Sequence, residues 1–171
     1  MTKVINLFAG PGAGKSTLAA GIFANLKSRH INCELVTEVA KELVWKEDYK
    51  QFENQFYLFG EQYNRLHKLL GKVDYIVTDY PLLLLMLYHN SPFADEFFAL
   101  LLKIFRSLDS INFFVKRQDA PYSTIGRMHS LEEAQKIDSS TKDILYHYNI
   151  PFTYIPGDIK NIPDICDKIL S

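Results

Sequence analysis

Apolar residues recur along the chain with two periods, one typical of buried strands and one typical of helices. Short apolar runs bounded by polar or glycine-rich segments predict five strands, at 4–8, 33–37, 73–78, 111–115 and 152–155. Spacings of three and four predict helices at 16–28, 39–45, 52–70, 82–88, 93–107 and 130–149, and a last helix striped by Ile162, Ile165 and Ile169. This alternation predicts an α/β fold in which a mostly parallel five-stranded sheet carries helices on both faces.

One segment breaks the alternation. Residues 118–129 are polar and contain Pro121 and Gly126, so they predict a loop, and we expect a short lid at approximately 117–129. The stretch Ser130-Leu131-Glu132-Glu133 has the capping-box pattern, which predicts the start of the next helix. A chain of 171 residues without a repeat or a linker suits one domain, which we expect to span 1–171.

The composition narrows the classes of function. The chain is 47% hydrophobic, and its formal net charge is -1, so no global basic field indicates a nucleic-acid-binding protein. No apolar run approaches the roughly 20 residues that cross a membrane, and the first strand leaves no room for a signal peptide. Cys33 and Cys166 lack the spacing of a disulfide framework or a zinc site. We therefore expect a cytoplasmic protein without a membrane partner, either a monomer or a homodimer.

The loop between the first strand and the first helix carries the strongest chemical signal. We call it the phosphate loop; its residues are Ala9-Gly10-Pro11-Gly12-Ala13-Gly14-Lys15-Ser16-Thr17, in which Ala9 replaces the first glycine of the P-loop pattern. Glycines let backbone N–H groups point at phosphate oxygens, and the helix N-terminus adds partial positive charge. Lys15 is placed to reach the β- and γ-phosphates, and Ser16 to bind Mg²⁺. The loop therefore predicts binding of a nucleoside triphosphate, which we expect to be ATP with Mg²⁺.

Two acidic residues follow strands of the predicted sheet. Glu38 comes after the second strand and Asp79 after the third. Ligands of open α/β sheets bind beyond the carboxyl ends of the strands, so we expect both carboxylates in the same crevice as Lys15. Asp79 is suited to hold Mg²⁺ through water, and Glu38 to accept a proton from an acceptor hydroxyl or to orient it. Either acid could instead cap a helix.

Arg117 and Arg127 flank the polar loop, where positive charge is concentrated. Arginines that close over a transferring phosphoryl group stabilise its negative charge, so we interpret both residues as catalytic residues of the lid. The alternative is a solvated loop with ordinary surface charge.

Other residues are suited to bind the acceptor or the adenine base. Gln55 and Gln62 lie on one helix face with Phe59 between them, and this group can stack on a planar base and hydrogen-bond its edge. In the alternative, Phe59 packs in the core and the glutamines are exposed. Gly157 and Asp158 follow the fifth strand, where a loop commonly lies beside adenine in this architecture, although they also fit a plain turn.

The whole chain resembles small P-loop kinases of the thymidylate-kinase-like group. The resemblance rests on residues 9–17, Glu38, the pair Asp79-Tyr80 and the arginines of the lid. It implies a P-loop kinase fold, ATP as the phosphoryl donor with Mg²⁺, and Tyr80 at the acceptor site. Asp79-Tyr80 is similar to the Asp-Arg-Tyr signature of thymidylate kinases but lacks the arginine, which normally grips the phosphate of the acceptor. This departure disfavours a nucleoside monophosphate as the acceptor.

Residues 4–12 and 35–41 also resemble compact bacteriophage kinases. Some of these are similar to 5-hydroxymethyluracil DNA kinases, which phosphorylate the hydroxymethyl group of a modified base in DNA. This resemblance implies DNA with a modified pyrimidine as the partner and, for a bacteriophage protein, the host cell cytoplasm as the location. Glu38 or Asp79 would then activate the primary hydroxyl group.

Two other functions stay open. A kinase of a free nucleoside or nucleotide, including ribosylnicotinamide-like substrates, predicts a closed pocket over the acceptor, whereas the DNA kinase predicts basic residues beside an open cleft. An NTPase switch module predicts a group that positions water and an arginine supplied by a partner.

Overall fold

A sheet of five strands forms the centre of the computed structural model, which describes residues 1–88, 92–118 and 129–171. The strands are β1 (Lys3–Phe8), β2 (Cys33–Val36), β3 (Tyr75–Thr78), β4 (Asp109–Lys116) and β5 (Thr153–Pro156). They lie in the order β2-β3-β1-β4-β5, and each neighbouring pair is parallel. The predicted α/β fold with a five-stranded sheet is confirmed.

β1 lies in the middle of this sheet, between β3 and β4. The order of the strands changes direction there, so the carboxyl end of β1 is where an open α/β sheet is expected to bind its ligand. Val4 and Phe8 pack in the core on one face of the sheet, and Ile5 and Leu7 pack in the core on the other. The phosphate loop therefore begins at a strand that is buried on both faces.

Helices cover both faces of the sheet. They are α1 (Lys15–Ser28), α2 (Val39–Trp45), α3 (Tyr49–Phe52), α4 (Gln55–His67), α5 (Ala94–Ser107), α6 (Leu131–His147) and α7 (Ile162–Leu170). Leu18 and Ile22 of α1 share one core with Ile165 of α7, whereas Leu101 of α5 and Leu145 of α6 belong to the core on the opposite face. The expectation of helices on both faces is thus confirmed.

The helix predicted at 52–70 is shorter and starts later: α4 spans Gln55–His67, whereas Phe52 is the last residue of a separate short helix, α3. Asn54 lies between them, and its side-chain oxygen accepts a hydrogen bond of 3.1 Å from the backbone N–H of Tyr57. Asparagine is favoured at a helix start because its oxygen satisfies an N–H group that has no partner within the helix. Apolar spacing alone did not reveal this break.

Leu82–Leu87 forms a 3₁₀ helix, not the α-helix that we predicted at 82–88. Residues 82–86 are all buried, and α4, α5 and α6 pack around them. A 3₁₀ helix has three residues per turn and so presents three rows of side chains, which suits contact with three surrounding helices. Pro81 is the N-cap of this segment and does not lie in its first turn.

The start of α6 has the predicted capping box. Ser130 Oγ accepts a hydrogen bond of 3.2 Å from the backbone N–H of Glu133, and Glu133 Oε2 accepts one of 2.7 Å from the backbone N–H of Ser130. Most of the predicted lid, at 119–128, lies outside the described residues. Within the described ranges, no helix is both long and apolar enough to span a membrane.

Candidate active site

The phosphate loop joins the end of β1 to the start of α1. Gly12 and Gly14 have φ angles of 75° and 93°, in the left-handed region that disfavours residues with a side chain. Gly14 is the N-cap of α1 and has no side chain that could accept a capping hydrogen bond. The first N–H groups of α1 are therefore available to an anion, whose charge the helix dipole also favours.

Two other glycines are needed because neighbouring segments approach closely. A Cβ on Gly10 would lie 2.5 Å from the carbonyl oxygen of Ala134 in α6. A Cβ on Gly157 would lie 2.7 Å from the carbonyl oxygen of Lys116 and 3.1 Å from that of Ala13. The chain after β5 and the helix α6 thus pack directly against the phosphate loop.

Asp158 forms a turn, as one of the two predictions from the sequence stated. Its carboxylate accepts a hydrogen bond of 2.9 Å from the backbone N–H of Lys160 and so caps the short 3₁₀ turn Ile159–Asn161. Gly157, the other residue predicted beside adenine, packs against the phosphate loop.

Lys15 is held at the start of α1 by the carbonyl groups of its own loop. Its Nζ donates hydrogen bonds to the carbonyl oxygens of Ala9, at 2.7 Å, and Gly10, at 3.0 Å. Burial lowers the pKa of Lys15, whereas the carboxylates of Glu38 and Asp79 raise it. The sequence placed these two acids in the same crevice as Lys15, and the structure brings all three together.

A cavity of about 260 Å³ lies beside the phosphate loop. One part of its wall consists of loop residues: Ala9, Pro11, Gly12, Gly14, Lys15, Ser16 and Thr17. We call a second part the acceptor pocket because it contains Gln55 and Tyr80, which we expected at the acceptor site. Its wall is mainly apolar and aromatic and consists of Val44, Phe52, Gln55, Leu58, Tyr80, Leu84, Leu87 and Tyr88. Glu38 and Lys41 also line the cavity.

Glu38 reaches the cavity from the turn between β2 and α2. It occupies the N-cap position of α2, but its carboxylate accepts no capping hydrogen bond, so the helix-cap alternative does not describe it. Burial raises the pKa of Glu38 to about 7; Lys15 opposes this shift and Asp79 adds to it. A carboxylate with this pKa can take up and release a proton near neutral pH.

Gln62 supports the turn that carries Glu38. Its Oε1 accepts a hydrogen bond of 3.1 Å from the backbone N–H of Val39, and its Nε2 donates one of 3.4 Å to the carbonyl oxygen of Thr37. The residue is 1% exposed. Both ends of the Gln62 amide thus bind the protein's own backbone. We predicted either that this amide reads a base or that it is exposed, and neither prediction describes it.

Phe59 packs beside Tyr63 and Phe97, with ring centroids 5.8 and 5.7 Å away, and is not among the described residues that line the cavity. The predicted stack of a base on Phe59 between two glutamines therefore does not form, because the aromatic side chain belongs to the packing between α4 and α5. Gln55 does line the cavity. It is 8% exposed, and its Oε1 has no hydrogen-bond partner within the part of the chain that the structure describes.

Asp79 follows β3, the direct neighbour of β1. It is 3% exposed, and its Oδ1 has no hydrogen-bond partner among the described residues. A buried carboxylate oxygen without a partner fits Mg²⁺, which takes few protein ligands and completes its shell with water and phosphate oxygens. Ser16, the other predicted metal residue, is exposed at the start of α1. In the part of the chain that the structure describes, no three His, Cys, Asp or Glu residues form a cluster that could hold a metal ion.

Arg117 follows β4, and its guanidinium group donates to three protein groups. Nε pairs with the carboxylate of Asp138, Nη1 donates to the carbonyl oxygen of Pro11 at 2.7 Å, and Nη2 to that of Ala134 at 3.1 Å. Arg117 therefore joins the phosphate loop to α6, whereas we expected a lid residue that closes over the phosphates. Arg127 lies outside the described residues.

Tyr80 and Tyr88 both line the acceptor pocket. Burial raises the pKa of each phenol, and the charge of Glu38 raises it further, so both hydroxyl groups stay protonated and can donate hydrogen bonds. The sequence suggested Tyr80 through its position after Asp79. It did not suggest Tyr88, Lys41 or His129, which also line the cavity, because no local motif marks them.

A family model described as an AAA domain matches residues 4–161. The chain belongs to this AAA-domain family. No curated protein matches the sequence of this AAA-domain protein.

Two solved structures of deoxyadenosine kinase from M. mycoides share the fold of this AAA-domain protein. The one with bound dATP has a TM-score of 0.58 and 18% identity, and the match covers 98% of this chain and 100% of that chain. The one with the products dCMP and a flexible dCDP bound has a TM-score of 0.54 and 16% identity, with coverage of 98% and 96%. This AAA-domain protein therefore has the fold of a small P-loop nucleotide kinase.

The raised pKa of Glu38 predicts how pH affects stability. Between the ordinary value of 4.5 and about 7, the folded protein keeps a proton on Glu38 that the unfolded chain has lost. The free energy of unfolding should therefore fall as pH rises through this window. Glu38→Gln removes the buried charge, so we expect it to stabilise the protein at pH 8, by at most about 3 kcal/mol, and to have little effect at pH 4.5.

Urea unfolding followed by circular dichroism at several pH values measures this difference. Glu53→Gln, which changes an exposed carboxylate, is the matched control and should show no such pH dependence. An equal effect of Glu38→Gln at both ends of the window, or destabilisation at pH 8, would contradict the assignment.

Proposed function

We propose that this protein transfers the γ-phosphoryl group of ATP to a hydroxyl group of a neutral, nucleoside-like acceptor. One observation carries the proposal: the phosphate loop, Glu38 and the acceptor pocket line one cavity. A kinase needs this arrangement, because donor, base and acceptor must meet with water largely excluded.

The phosphate loop supplies the donor half of the reaction. The N–H groups at the start of α1 bind the phosphate oxygens, and Lys15 balances the negative charge that spreads over the transferring group. Ser16 and Asp79 would hold Mg²⁺, which supplies further positive charge beside the phosphate oxygens. The unpartnered Oδ1 of Asp79 supports this assignment.

Glu38 supplies the base. As a carboxylate it accepts the proton of the acceptor hydroxyl while the oxygen attacks the γ-phosphorus atom. The bond between this phosphorus atom and the bridging β–γ oxygen breaks, and ADP leaves. Its pKa of about 7 leaves a substantial fraction ionised at neutral pH and matches its basicity to the task. Gln62 supports this role because it fixes the backbone on both sides of Glu38.

The acceptor pocket suits a flat, uncharged ring. Its wall offers Phe52, Tyr80 and Tyr88 as aromatic surfaces and the amide of Gln55 as a hydrogen-bonding group. The described lining residues include no arginine, which agrees with the missing arginine between Asp79 and Tyr80. A phosphate on the acceptor would therefore lack the bidentate partner that binds such groups best.

Charge near the cavity supports a free nucleoside over DNA. Residues 41–53, which contribute to the acceptor side of the cavity, carry three lysines and four acids. DNA binding depends on a surplus of cations that neutralise phosphates, and this segment provides none. Phosphorylation of 5-hydroxymethyluracil in DNA remains a prediction from the resemblance to bacteriophage kinases.

Membership of the AAA-domain family supports a second candidate, an NTPase switch. In that function Glu38 would orient water in place of an acceptor hydroxyl. The acceptor pocket argues against it, because a hydrolase needs no aromatic wall beside its phosphate site.

The first test is transfer from γ-labelled ATP to a panel of acceptors: free nucleosides, nucleoside monophosphates, ribosylnicotinamide, plain DNA and DNA with 5-hydroxymethyluracil. We expect label on a free nucleoside. Lys15→Ala should lower transfer at least about 100-fold, because it removes a group that stabilises the transferring charge. Lys27→Ala is the matched control, since Lys27 is an exposed lysine of the same helix that pairs with Glu34.

The other outcomes separate the candidates. Label that stays on the base of hydroxymethyluracil DNA would show that the acceptor is DNA and not a free nucleoside. Release of phosphate without a labelled acceptor would favour the switch. Full transfer by folded Lys15→Ala would contradict the mechanism itself.

Gln55 gives a separate prediction about the acceptor. Gln55→Ala should raise KM for the best acceptor about 10-fold or more and leave KM for ATP unchanged, because a lost hydrogen bond in a mainly apolar pocket leaves the partner group unsatisfied. Steady-state kinetics with each substrate varied in turn measure this split. Gln51→Ala, at an exposed glutamine of α3, is the control. An equal rise in both KM values, or in neither, would remove Gln55 from the acceptor site.

A further inference from the structure

Asp138 of α6 contacts the phosphate loop from outside the sequence motif. Its Oδ1 accepts a hydrogen bond of 2.5 Å from the backbone N–H of Gly10, and its Oδ2 pairs with Nε of Arg117. Arg117 in turn donates to the carbonyl oxygen of Pro11 at 2.7 Å. Asp138 thus binds the N–H group of Gly10 directly and is linked to the carbonyl group of Pro11 through Arg117.

The pair of Asp138 and Arg117 is largely shielded from water. Their side chains are 14% and 16% exposed, whereas Glu132 and Lys136, which pair on the surface of the same helix, are 78% and 72% exposed. Removing one partner of a shielded pair leaves an uncompensated charge, whereas exposed pairs contribute little. Loss of the pair of Asp138 and Arg117 should therefore have a large effect on its surroundings, whereas loss of the pair of Glu132 and Lys136 should have little effect.

The contacts of Asp138 extend to the groups that bind phosphate. Gly10, whose N–H group Asp138 holds, also accepts a hydrogen bond of 3.0 Å from Lys15 Nζ through its carbonyl oxygen. A shift of the Gly10 peptide would therefore move both the backbone of the loop and the support of Lys15. Gly10 also has no room for a Cβ, because α6 lies against it, so the loop and the helix are fitted to each other.

We infer that Asp138 is a positioning residue that sets the backbone of the phosphate loop for the triphosphate, acting through Gly10 and Arg117. This inference rests on the proposed function in one respect: the loop must bind a nucleotide. Under this inference, nucleotide affinity also depends on Asp138, a residue far from the motif in the sequence. Arg117 acts as the partner of Asp138.

The test measures the dissociation constants of MgADP and of the magnesium complex of a non-hydrolysable ATP analogue, by calorimetry on the full chain. The variants are Asp138→Ala, Asp138→Asn, Arg117→Ala and the double alanine variant, with Glu132→Ala as the matched control. Circular dichroism checks that each variant is folded. KM for ATP and for the acceptor are then measured separately.

We expect Asp138→Ala to weaken nucleotide binding about 10- to 100-fold, since the loss of a hydrogen bond to a charged group has effects of this size. Asp138→Asn should weaken it less, because the amide oxygen can still accept from Gly10. The double variant should be little worse than either single variant, because the two residues act as one unit. KM for the acceptor and the affinity of Glu132→Ala should stay unchanged.

A folded Asp138→Ala that binds MgADP as tightly as the wild type would overturn the inference, and so would equal rises in both KM values. If Asp138→Ala does not fold, Asp138→Asn decides in the same way. Failure of the wild type to bind MgADP would instead contradict the proposed function, so the two failures are distinguishable.

Discussion

The site depends on the balance of charge around Lys15. Three carboxylates, those of Glu38, Asp79 and Asp138, act on this one ammonium group. Burial strengthens these interactions because little water is present to screen them. Each of these acids has different neighbours, and we base the role that we propose for each acid on its neighbours.

Asp138 is neutralised by Arg117, which leaves it free to hold the phosphate loop. Glu38 is shielded enough for its pKa to rise to about 7, so it can exchange a proton. Asp79 keeps an oxygen without a partner, which suits it to a cation. We therefore propose that these chemically similar side chains serve as a support, a base and a metal ligand because their surroundings differ.

Local patterns in the sequence predicted much of this molecule. The capping box of α6 and the placement of the phosphate loop between β1 and α1 follow from motifs a few residues long, and apolar spacing predicted the bounds of α2. The break before α4 was missed although Asn54 carries a local signal, because apolar spacing continues across it. The 3₁₀ segment Leu82–Leu87 could not be predicted, since its form depends on three helices that pack around it.

In the site, too, local patterns predicted some residues, whereas others depend on contacts between distant segments. Lys15, Glu38 and Asp79 could be found because strand ends meet at one edge of a parallel sheet. The roles of Gln62 and Arg117 required contacts between distant segments. Asp138 lies 128 residues from Gly10, and no motif indicates that they meet. Fold alone does not decide the acceptor, because one fold hosts many reactions, so that part of the account depends on the wall of the acceptor pocket.

The most direct test of the central claim is the pH dependence of phosphoryl transfer in single-turnover experiments, with the acceptor that takes the label. The rate of the wild type should fall as pH drops below about 7, where Glu38 becomes protonated. Glu38→Gln should be at least about 100-fold slower and should lack this ionisation. A Glu38→Gln variant that keeps both the rate and the ionisation of the wild type would contradict the account.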